Sequence, residues 1–291
     1  MSNPRRIEWS WDGKPVAVGV DECGRGPGVL LLPALSSIST RAEMRPLMRC
    51  LAPVSRVVSV DRPGFGEQGR PSVRWTPDAL SRFLDHVLQA EVQDVRVAVA
   101  AGHAAAYALC HAARYPGRLD RLALIAPTWR GPLPTMAGGD RPLFARIRRA
   151  IELPVAGPLL YRANVNPWMV RRMVAGHVYS EPRTLSGERL SEKRRVINAS
   201  GARFGSAAFV TGGLDRVASR PEFLALAGRA NMPILVVYGA QTPSKSRAEM
   251  EALAQLPGVQ SCVLPRGKLA VHEECPDEVA RVLTPFLSTS K

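Results

Sequence analysis

Short apolar segments rich in β-branched residues alternate with longer segments of helical periodicity along most of this chain. Such alternation is typical of a mostly parallel sheet, because the connection between two parallel strands usually contains a helix. The strands predicted in the first half of the chain are Val16–Val20, Val29–Leu32, Arg56–Val60, Val95–Ala100 and Leu122–Ala126. The sequence therefore predicts the α/β class, with helices flanking a central sheet.

The alternation stops after Pro127 and resumes at Ile234–Tyr238, and a last helix is predicted from Pro276. The intervening stretch contains apolar helical segments and loops but no convincing series of strands. We therefore expect a core in two parts, residues 1–129 and 221–291, with a helical cap inserted at residues 130–220. Ligands of such sheets bind beyond the carboxyl ends of the strands, where this cap is expected to lie.

The chain is strongly basic, with 39 Lys and Arg residues against 25 Asp and Glu and a net charge of +14. Residues 141–200 hold 12 basic and 4 acidic residues, so 8 of the 14 excess charges fall in this stretch. Zinc-finger spacing, an aromatic RNA-binding signature and a basic tail are all lacking, so nucleic acid is not an expected partner. We expect a local basic surface on the cap. The sequence leaves open what this surface faces, and an anionic membrane and an acidic protein are the two candidates.

The cysteine pattern and the N-terminal sequence bear on location and cofactors. The five cysteines are scattered and form no C-x-x-C pair, so neither a disulfide framework nor a metal site is predicted. Residues 1–14 do not resemble a signal peptide, and we expect a cytoplasmic protein. The glycines at positions 24–28 precede a strand instead of linking a strand to a helix, so no dinucleotide cofactor is expected. The sequence leaves the oligomeric state open.

Three motifs resemble those of the α/β-hydrolase superfamily in their order and spacing. Residues 95–127 are similar to its strand, elbow, helix and strand unit, and residues 61–66 (DRPGFG) to its D-x-P-G-x-G loop. Residues 267–276 (GKLAVHEECP) resemble the segment that carries its catalytic histidine. The resemblance covers about residues 15–288. It implies an α/β-hydrolase fold with an inserted cap, and a hydrolase as the inherited activity.

The elbow departs from the family's G-x-S-x-G motif, in which a sharp turn exposes a nucleophilic serine. One alignment reads Gly102-His103-Ala104-Ala105-Ala106 and puts Ala104 at the nucleophile position. Counting back from the end of the following helix shifts the alignment by two residues and puts Gly102 there. Neither residue has an attacking atom. We therefore expect an elbow that keeps its shape without its covalent chemistry.

The acid and base positions of the triad are also altered. Thr242 stands where the family usually has an aspartate, and a threonine cannot stabilise an imidazolium as a carboxylate does. Asp215, after a possible strand at Ala208–Thr211, is a candidate replacement, although a surface loop aspartate is the favoured interpretation. The base position falls on Lys268 in one alignment and near His272 in another. Their alternative roles are a solvated lysine and a loop or capping histidine.

Backbone N–H groups of Leu35 and Ala105 are the candidates for an oxyanion hole, because they flank the expected site. Ser36 is the nearby candidate hydroxyl, with helix or turn capping as the favoured interpretation. His103 lies beside the elbow and has a side chain that titrates near neutral pH, so it is a candidate acid or base. A packing role for His103 is the favoured alternative.

Three further residues are candidates for the pocket between core and cap. Trp129 and Arg130 begin the cap and would line the mouth of the pocket, unless their Pro/Gly-rich segment is a rigid connector. Arg62 replaces a commonly apolar residue of its loop and, with Arg130, would hold an anionic group. Pairing with a surface carboxylate is the alternative for both arginines.

These observations support three hypotheses for the function. The favoured one is a protein of α/β-hydrolase fold that lacks the triad and binds a small ligand, apolar or with an anionic group, between core and cap, in a non-hydrolytic or accessory role. The second is an enzyme that uses His103, His272 or Lys268 for acid–base chemistry without a covalent intermediate. The third is an interaction module that docks its basic cap on an acidic partner or an anionic membrane.

Overall fold

The structure is a computed structural model that describes residues 5–66, 68, 70–181, 185 and 187–288. Eight strands form one sheet in the order β1-β2-β4-β3-β5-β6-β7-β8. They are β1 (Arg5–Trp11), β2 (Lys14–Cys23), β3 (Gly28–Leu32), β4 (Arg56–Val60), β5 (Val97–Ala101), β6 (Arg121–Ile125), β7 (Ile234–Gly239) and β8 (Val259–Leu264). β2 is antiparallel to β1 and β4, and every other neighbouring pair is parallel, which confirms the predicted α/β class.

The hairpin of β1 and β2 is absent from the sequence-based prediction. Its two-residue turn consists of Asp12 and Gly13, both of which have positive φ angles (51° and 69°). Asp-Gly favours this turn because both residues tolerate the left-handed region. The hairpin lengthens the sheet beyond β4, and its Trp9 packs edge-on against Phe83, with ring centroids 5.2 Å apart.

Helices follow most of the parallel strands. In chain order they are α1 (Arg45–Leu51), α2 (Pro77–His86), α3 (Ala104–Arg114), α4 (Pro132–Ala137), α5 (Pro142–Glu152), α6 (Ala156–Asn164), α7 (Pro167–Met173), α8 (Gly187–Asn198), α9 (Ala202–Val210), α10 (Arg220–Ala230), α11 (Ser244–Ala254), α12 (Val271–Glu274) and α13 (Pro276–Ser288). A 3-10 turn at Arg41–Met44 precedes α1. π-helical turns at Val87–Glu91 and Val174–Val178 follow α2 and α7.

The described residues of the insertion between β6 and β7 form helices joined by loops, and none of them forms a strand. The strand that we considered possible at Ala208–Thr211 is wrong, because these residues belong to the end of α9 and its C-cap. Small residues and buried positions in that segment follow a helical pattern instead of strand alternation. Helix α10, at the end of the insertion, packs against α3 and thus flanks the sheet.

The buried apolar side chains form two clusters. The larger one surrounds the sheet and contains β3, β5 and β6 almost entirely. The smaller one lies in the inserted helices around Tyr161 and Tyr179, and it also includes Ile38 and Ala270 from loops of the core. The cap is therefore anchored on the loops that follow β3 and β8. In the described part of the chain, no helix is long and apolar enough to cross a membrane.

Candidate functional site

The turn between β5 and α3 has its apex at Gly102. This residue has a φ of +51°, whereas His103 has helical angles and Ala104 is the first residue of α3. The Gly102 N–H donates to Ile125 O (2.8 Å), and its carbonyl accepts from Thr128 N (3.0 Å). A residue with positive φ at a strand-to-helix turn is what the elbow requires. The geometry thus follows the alignment with Gly102 at the nucleophile position, and Ala104 lies two residues beyond the apex.

The apex is closely covered by the loop after β3. A Cβ atom at position 102 would lie 3.1 Å from the Cβ of Ala34 and 4.0 Å from Thr128 Oγ1. The N–H of Ala105 donates to Gly102 O (3.2 Å) and closes the turn. This bond corrects the choice of Ala105 as an oxyanion donor, because its N–H is already used within the elbow. Leu35 lies in the covering loop with its side chain buried.

His272 lies in a buried cluster of charged groups beside that loop. Its Nε2 is 3.3 Å from Glu43 Oε1, and the same oxygen accepts the N–H of Ala34 (2.7 Å). Lys193 of α8 lies 3.6 Å from Glu43 Oε2 and 3.1 Å from Glu273 Oε2. Burial alone would raise the pKa of the Glu43 carboxyl, but His272 and Lys193 outweigh it and lower that pKa. The carboxylate partner of His272 is therefore Glu43 and not a residue after β7.

Among the described residues, neither Thr242 nor Lys268 forms a hydrogen bond with His272. Thr242 follows β7, and its Oγ1 is buried without a hydrogen-bond partner among the described residues. The Lys268 Nζ donates to Ala175 O (2.6 Å) in the π-helical turn of the cap. This hydrogen bond connects the loop after β8 to the cap, and the Lys268 amino group is thus bound away from the elbow apex. Lys268 and His272 are thus four residues apart and have separate contacts.

His103 lies in a second buried cluster, on the side of the segment after α9. Its Nε2 is 3.2 Å from Leu214 O and 3.4 Å from Asp215 Oδ1. Burial, together with the nearby Arg62 charge, lowers the pKa of His103 to about 4, although the Leu214 carbonyl opposes this. Burial raises the pKa of Asp215 to about 7, despite the hydrogen bond from Gly131 N. Asp215 is a partner of His103 and not a free surface aspartate.

Arg62 is a buried cation in this second cluster. Its guanidinium carbon lies 5.6 Å from the centroid of the Tyr107 ring, and the Tyr107 hydroxyl donates to Leu214 O (2.7 Å). Within the described residues, Nε and Nη2 of Arg62 have no hydrogen-bond partner. Burial lowers the pKa of Arg62 to about 10. The alternative interpretation of Arg62, pairing with a surface carboxylate, is therefore not found among the described residues.

A cleft of about 260 Å³ lies where the cap begins, between the end of β6 and α11. Its lining consists of Thr128, Trp129, Arg130, Thr135, Gly138, Arg220, Lys245, Ser246, Ala248 and Glu249. The Arg130 guanidinium stacks on the Trp129 ring at 4.2 Å, and Trp129 Nε1 donates to Glu249 Oε2 (3.0 Å). Trp129 and Arg130 thus meet at a cleft, while Arg62 is not among its lining residues.

Ser36 has the capping role that the sequence analysis favours. Its Oγ lies 2.8 Å from Ser39 Oγ and accepts the N–H of Ile38 (3.2 Å). Both contacts are local, within one turn of chain after β3. The hydroxyl is therefore committed to the conformation of the loop.

The sequence comparisons identify the family of this chain. A family model described as "Alpha/beta hydrolase family" matches residues 29–282. The chain belongs to this family. No match was found among curated proteins.

Solved structures show the same fold over nearly the whole length of this α/β hydrolase. A thermophilic esterase from Thermogutta terrifontis shares 23% identity, with 97% of this chain and 98% of that chain covered and a TM-score of 0.72. Cfl2 from Burkholderia cenocepacia shares 24% identity, covers 97% and 95%, and has a TM-score of 0.73. A haloalkane dehalogenase variant, DatA from Agrobacterium tumefaciens, shares 19% identity over 98% and 97%, with a TM-score of 0.69. At these identities the likeness concerns the fold alone.

Sequence reasoning missed the carboxylates and the lysine around His272. Glu43, Lys193 and Glu273 come from three distant parts of this α/β hydrolase, and all are buried. In the sequence, Glu43 and Lys193 lie among other charged residues and are typical of solvated helix faces. The one available signal is the proximity of Glu273 to His272 in the segment that resembles the catalytic-histidine loop.

Proposed function

We propose that this α/β hydrolase is a non-hydrolytic binding protein that takes a small ligand with an anionic group at the boundary of core and cap. The observation that carries this proposal is the glycine at the apex of the elbow, covered by Ala34. Covalent hydrolysis needs a nucleophile, a base and an orienting acid within mutual reach. Here the apex has no attacking atom, and His272 is held by Glu43. The compartment that we propose is the cytoplasm.

The cleft beside Trp129 is the proposed ligand site. Glu249 is already satisfied by Trp129 Nε1 and by Arg220, whose Nη2 is 2.8 Å from Glu249 Oε1. Arg130 and Lys245 are two further cations at the cleft, and Lys245 Nζ donates to the backbone carbonyls of Thr135 and Met136 in α4. The ring of Trp129 supplies an apolar surface. Two cations beside an aromatic ring suit a carboxylate with a small apolar body.

An ester assay tests the non-hydrolytic part. We expect no turnover of short-chain and medium-chain nitrophenyl esters above the buffer rate, and no labelling by a fluorophosphonate probe. Turnover that a His272→Ala change abolishes would overturn the proposal, because it would show a working base and nucleophile. The assay uses the full chain, with an active esterase as the positive control.

Calorimetry with defined probes tests the binding part. Phenylacetate and hexanoate are expected to bind, and phenylethanol and hexanol, which have no charge, to bind more weakly. Loss of one charge-assisted contact in Arg130→Gln should weaken phenylacetate binding by roughly tenfold or more. Arg229→Gln, on an exposed part of α10, is the matched control and should have no effect. Equal binding of acids and alcohols, or equal loss in the control, would contradict the proposal.

The second candidate function is acid–base catalysis without a covalent intermediate. It is supported by His103 and Asp215, whose pKa values are moved in opposite directions to about 4 and about 7. Such pairs of perturbed groups occur at catalytic sites. The test is exchange of the α-hydrogens of phenylacetate in D₂O, followed by NMR. Exchange that disappears in a His103→Gln/His272→Gln double variant would favour this function, and exchange that persists there would exclude these residues.

A further inference from the structure

Exposed apolar side chains are concentrated on the inserted helices. Among the described residues, Val54 and Val263 are the only large exposed apolar side chains outside residues 136–173. Those inside this stretch are Met136, Leu143, Leu153, Val155, Leu159, Leu160, Trp168, Met169 and Met173. Exposed apolar residues scattered along a chain need no explanation, but their concentration in this one stretch indicates an interaction surface.

Helices α6 and α7 carry apolar residues on both of their sides. Tyr161 and Val170 are buried in the small apolar cluster of the cap and account for the folding of these helices. Leu159 and Trp168 are 67% and 65% exposed, so they lie outside that cluster. The outward side chains Leu159, Leu160, Arg162, Trp168, Met169, Arg171, Arg172 and Met173 are named here the α6–α7 face. Packing within this chain does not explain its apolar members.

Arginines are interleaved with these apolar residues. Residues 141–178 contain seven arginines and one acidic residue, Glu152. The guanidinium of Arg172 lies 5.7 Å from the centroid of the exposed Trp168 ring. Leucine, methionine and tryptophan among arginines form the composition of a helix that lies in the interface of an anionic membrane.

A basic cavity of about 270 Å³ opens between this face and α8. Its lining consists of Arg162, Val165, Asn166, Pro167, Val170, Arg171, Leu190, Lys193, Arg194, Ile197 and Asn198. Lys193 is paired with Glu43 and Glu273, but the three arginines have no ion-pair partner among the described residues. None of the described residues that line the cavity is acidic. Three unpaired guanidinium groups suit a phosphate group.

We propose that the α6–α7 face docks on an anionic phospholipid surface. A headgroup phosphate enters the basic cavity, and the apolar side chains of the face enter the interfacial layer of the lipid. A lipid surface satisfies both features at once, whereas an acidic protein accounts for the arginines alone. The docking surface is separate from the cleft at Trp129, so it does not depend on the ligand proposed there.

Vesicle binding tests the electrostatic part. The full chain is mixed with vesicles of phosphatidylcholine alone and of phosphatidylcholine with phosphatidylglycerol, and binding is measured by co-sedimentation at rising salt. We expect binding to the anionic vesicles only, weakened by salt. Arg162→Gln/Arg171→Gln/Arg194→Gln should lower the partition coefficient by roughly 100-fold. Arg25→Gln/Arg49→Gln/Arg229→Gln removes the same charge from exposed sites of the core and should have a much smaller effect.

A second pair of variants tests insertion of the apolar side chains. Leu159→Ser/Trp168→Ser should lower anionic-vesicle binding by roughly tenfold or more, because apolar area is no longer buried in lipid. Val54→Ser/Val263→Ser removes two exposed apolar side chains that lie outside the inserted helices, and it should leave vesicle binding unchanged. Failure to bind anionic vesicles at low salt, or equal losses in the control variants, would overturn the proposal. Binding to soluble polyglutamate but not to vesicles would overturn it in favour of an acidic protein partner.

Discussion

Gly102 and Ala34 are packed so closely that a Cβ at position 102 would lie 3.1 Å from the Cβ of Ala34. The loop after β3 thus closes over the apex of the elbow. Contacts of this length require a neighbour to move, and Ala34 is held in place by the bond from its N–H to Glu43 (2.7 Å). The buried cluster around Glu43 therefore helps to keep the apex covered.

Substitution of Gly102 should measure this contact. Gly102→Ala should cost roughly 1 kcal/mol for its positive φ and about 1 kcal/mol more for the contact with Ala34. Gly117→Ala is the control, because Gly117 has a φ of +78° and no atom within 4 Å of its added Cβ. Urea denaturation gives both free energies of unfolding. If Gly102→Ala and Gly117→Ala lower the free energy of unfolding by the same amount, the loop after β3 moves freely. Otherwise the double variant Ala34→Gly/Gly102→Ala should recover the part of the loss by which Gly102→Ala exceeds Gly117→Ala.

Burial of His103 should make the stability of the protein depend on pH. The pKa of this histidine is about 4 in the folded state against 6.5 when it is exposed, so the unfolded state binds its proton more readily between these values. Stability due to the neutral side chain is complete above about pH 6.5 and is lost as the pH falls toward 4.

The measurement compares the wild type with His103→Phe at several pH values. The free energy of unfolding of the wild type should fall relative to the variant by up to about 3 kcal/mol between pH 6.5 and 4. His177→Phe is the control, because His177 is exposed on the cap and should show no such difference. A constant difference between wild type and His103→Phe across this range would mean that His103 is not desolvated.

Much of the fold is encoded locally, which is why the sequence predicts it. The strands β3, β5 and β6 consist almost entirely of apolar residues and are bounded by turns, and such runs indicate a sheet buried on both faces. The hairpin of β1 was also predictable, because Asp12-Gly13 is a strong turn signal flanked by alternating residues. The alternation of Ile7, Trp9 and Trp11 with polar residues supplies the strand period.

The buried charges of the site could not be predicted in the same way. Lys193 and Glu43 lie on different elements, and nothing in either local sequence shows that folding brings them within 3.6 Å. The elbow could be predicted from the sequence only in part. Glycine and alanine at consecutive positions fit the motif in two alignments, and the positive φ of Gly102 distinguishes them only in three dimensions.

Lys193 is expected to be the main electrostatic link between cap and core. Lys193→Met would remove the cation that the buried carboxyls of Glu43 and Glu273 share. It would leave Glu43 with His272 and Glu273 with Arg189 at 3.9 Å, and the loss should be about 3 kcal/mol near pH 7. The loss should shrink as the pH falls toward 4, because Lys193 helps to lower the pKa of Glu43 and this carboxyl takes up a proton more readily in the variant. Arg195→Met, two residues further along α8 and exposed, is the control. A loss that is the same at pH 7 and pH 4 would contradict an electrostatic origin.

Replacement of Arg62 should raise the free energy of unfolding, whereas replacement of Lys193 should lower it. Its charge is buried and its Nε and Nη2 have no hydrogen-bond partner among the described residues. The folded state therefore loses hydration energy that the contact with the Tyr107 ring recovers only in part. Arg62→Met keeps the length of the side chain and should raise the free energy of unfolding by about 2 kcal/mol.

Arg118→Met is the control for this change, because Arg118 donates to the carbonyls of Leu88, Val92 and Val95. Its removal takes these donors away from the three carbonyls, although Val92 O still accepts from Val95 N (3.1 Å), and should lower the free energy of unfolding by about 1 to 3 kcal/mol. Urea denaturation of the two variants should therefore shift the midpoint in opposite directions. If Arg62→Met destabilised the protein as Arg118→Met does, the guanidinium of Arg62 would have a compensating anionic partner in solution, and the second buried cluster would itself be an anion site.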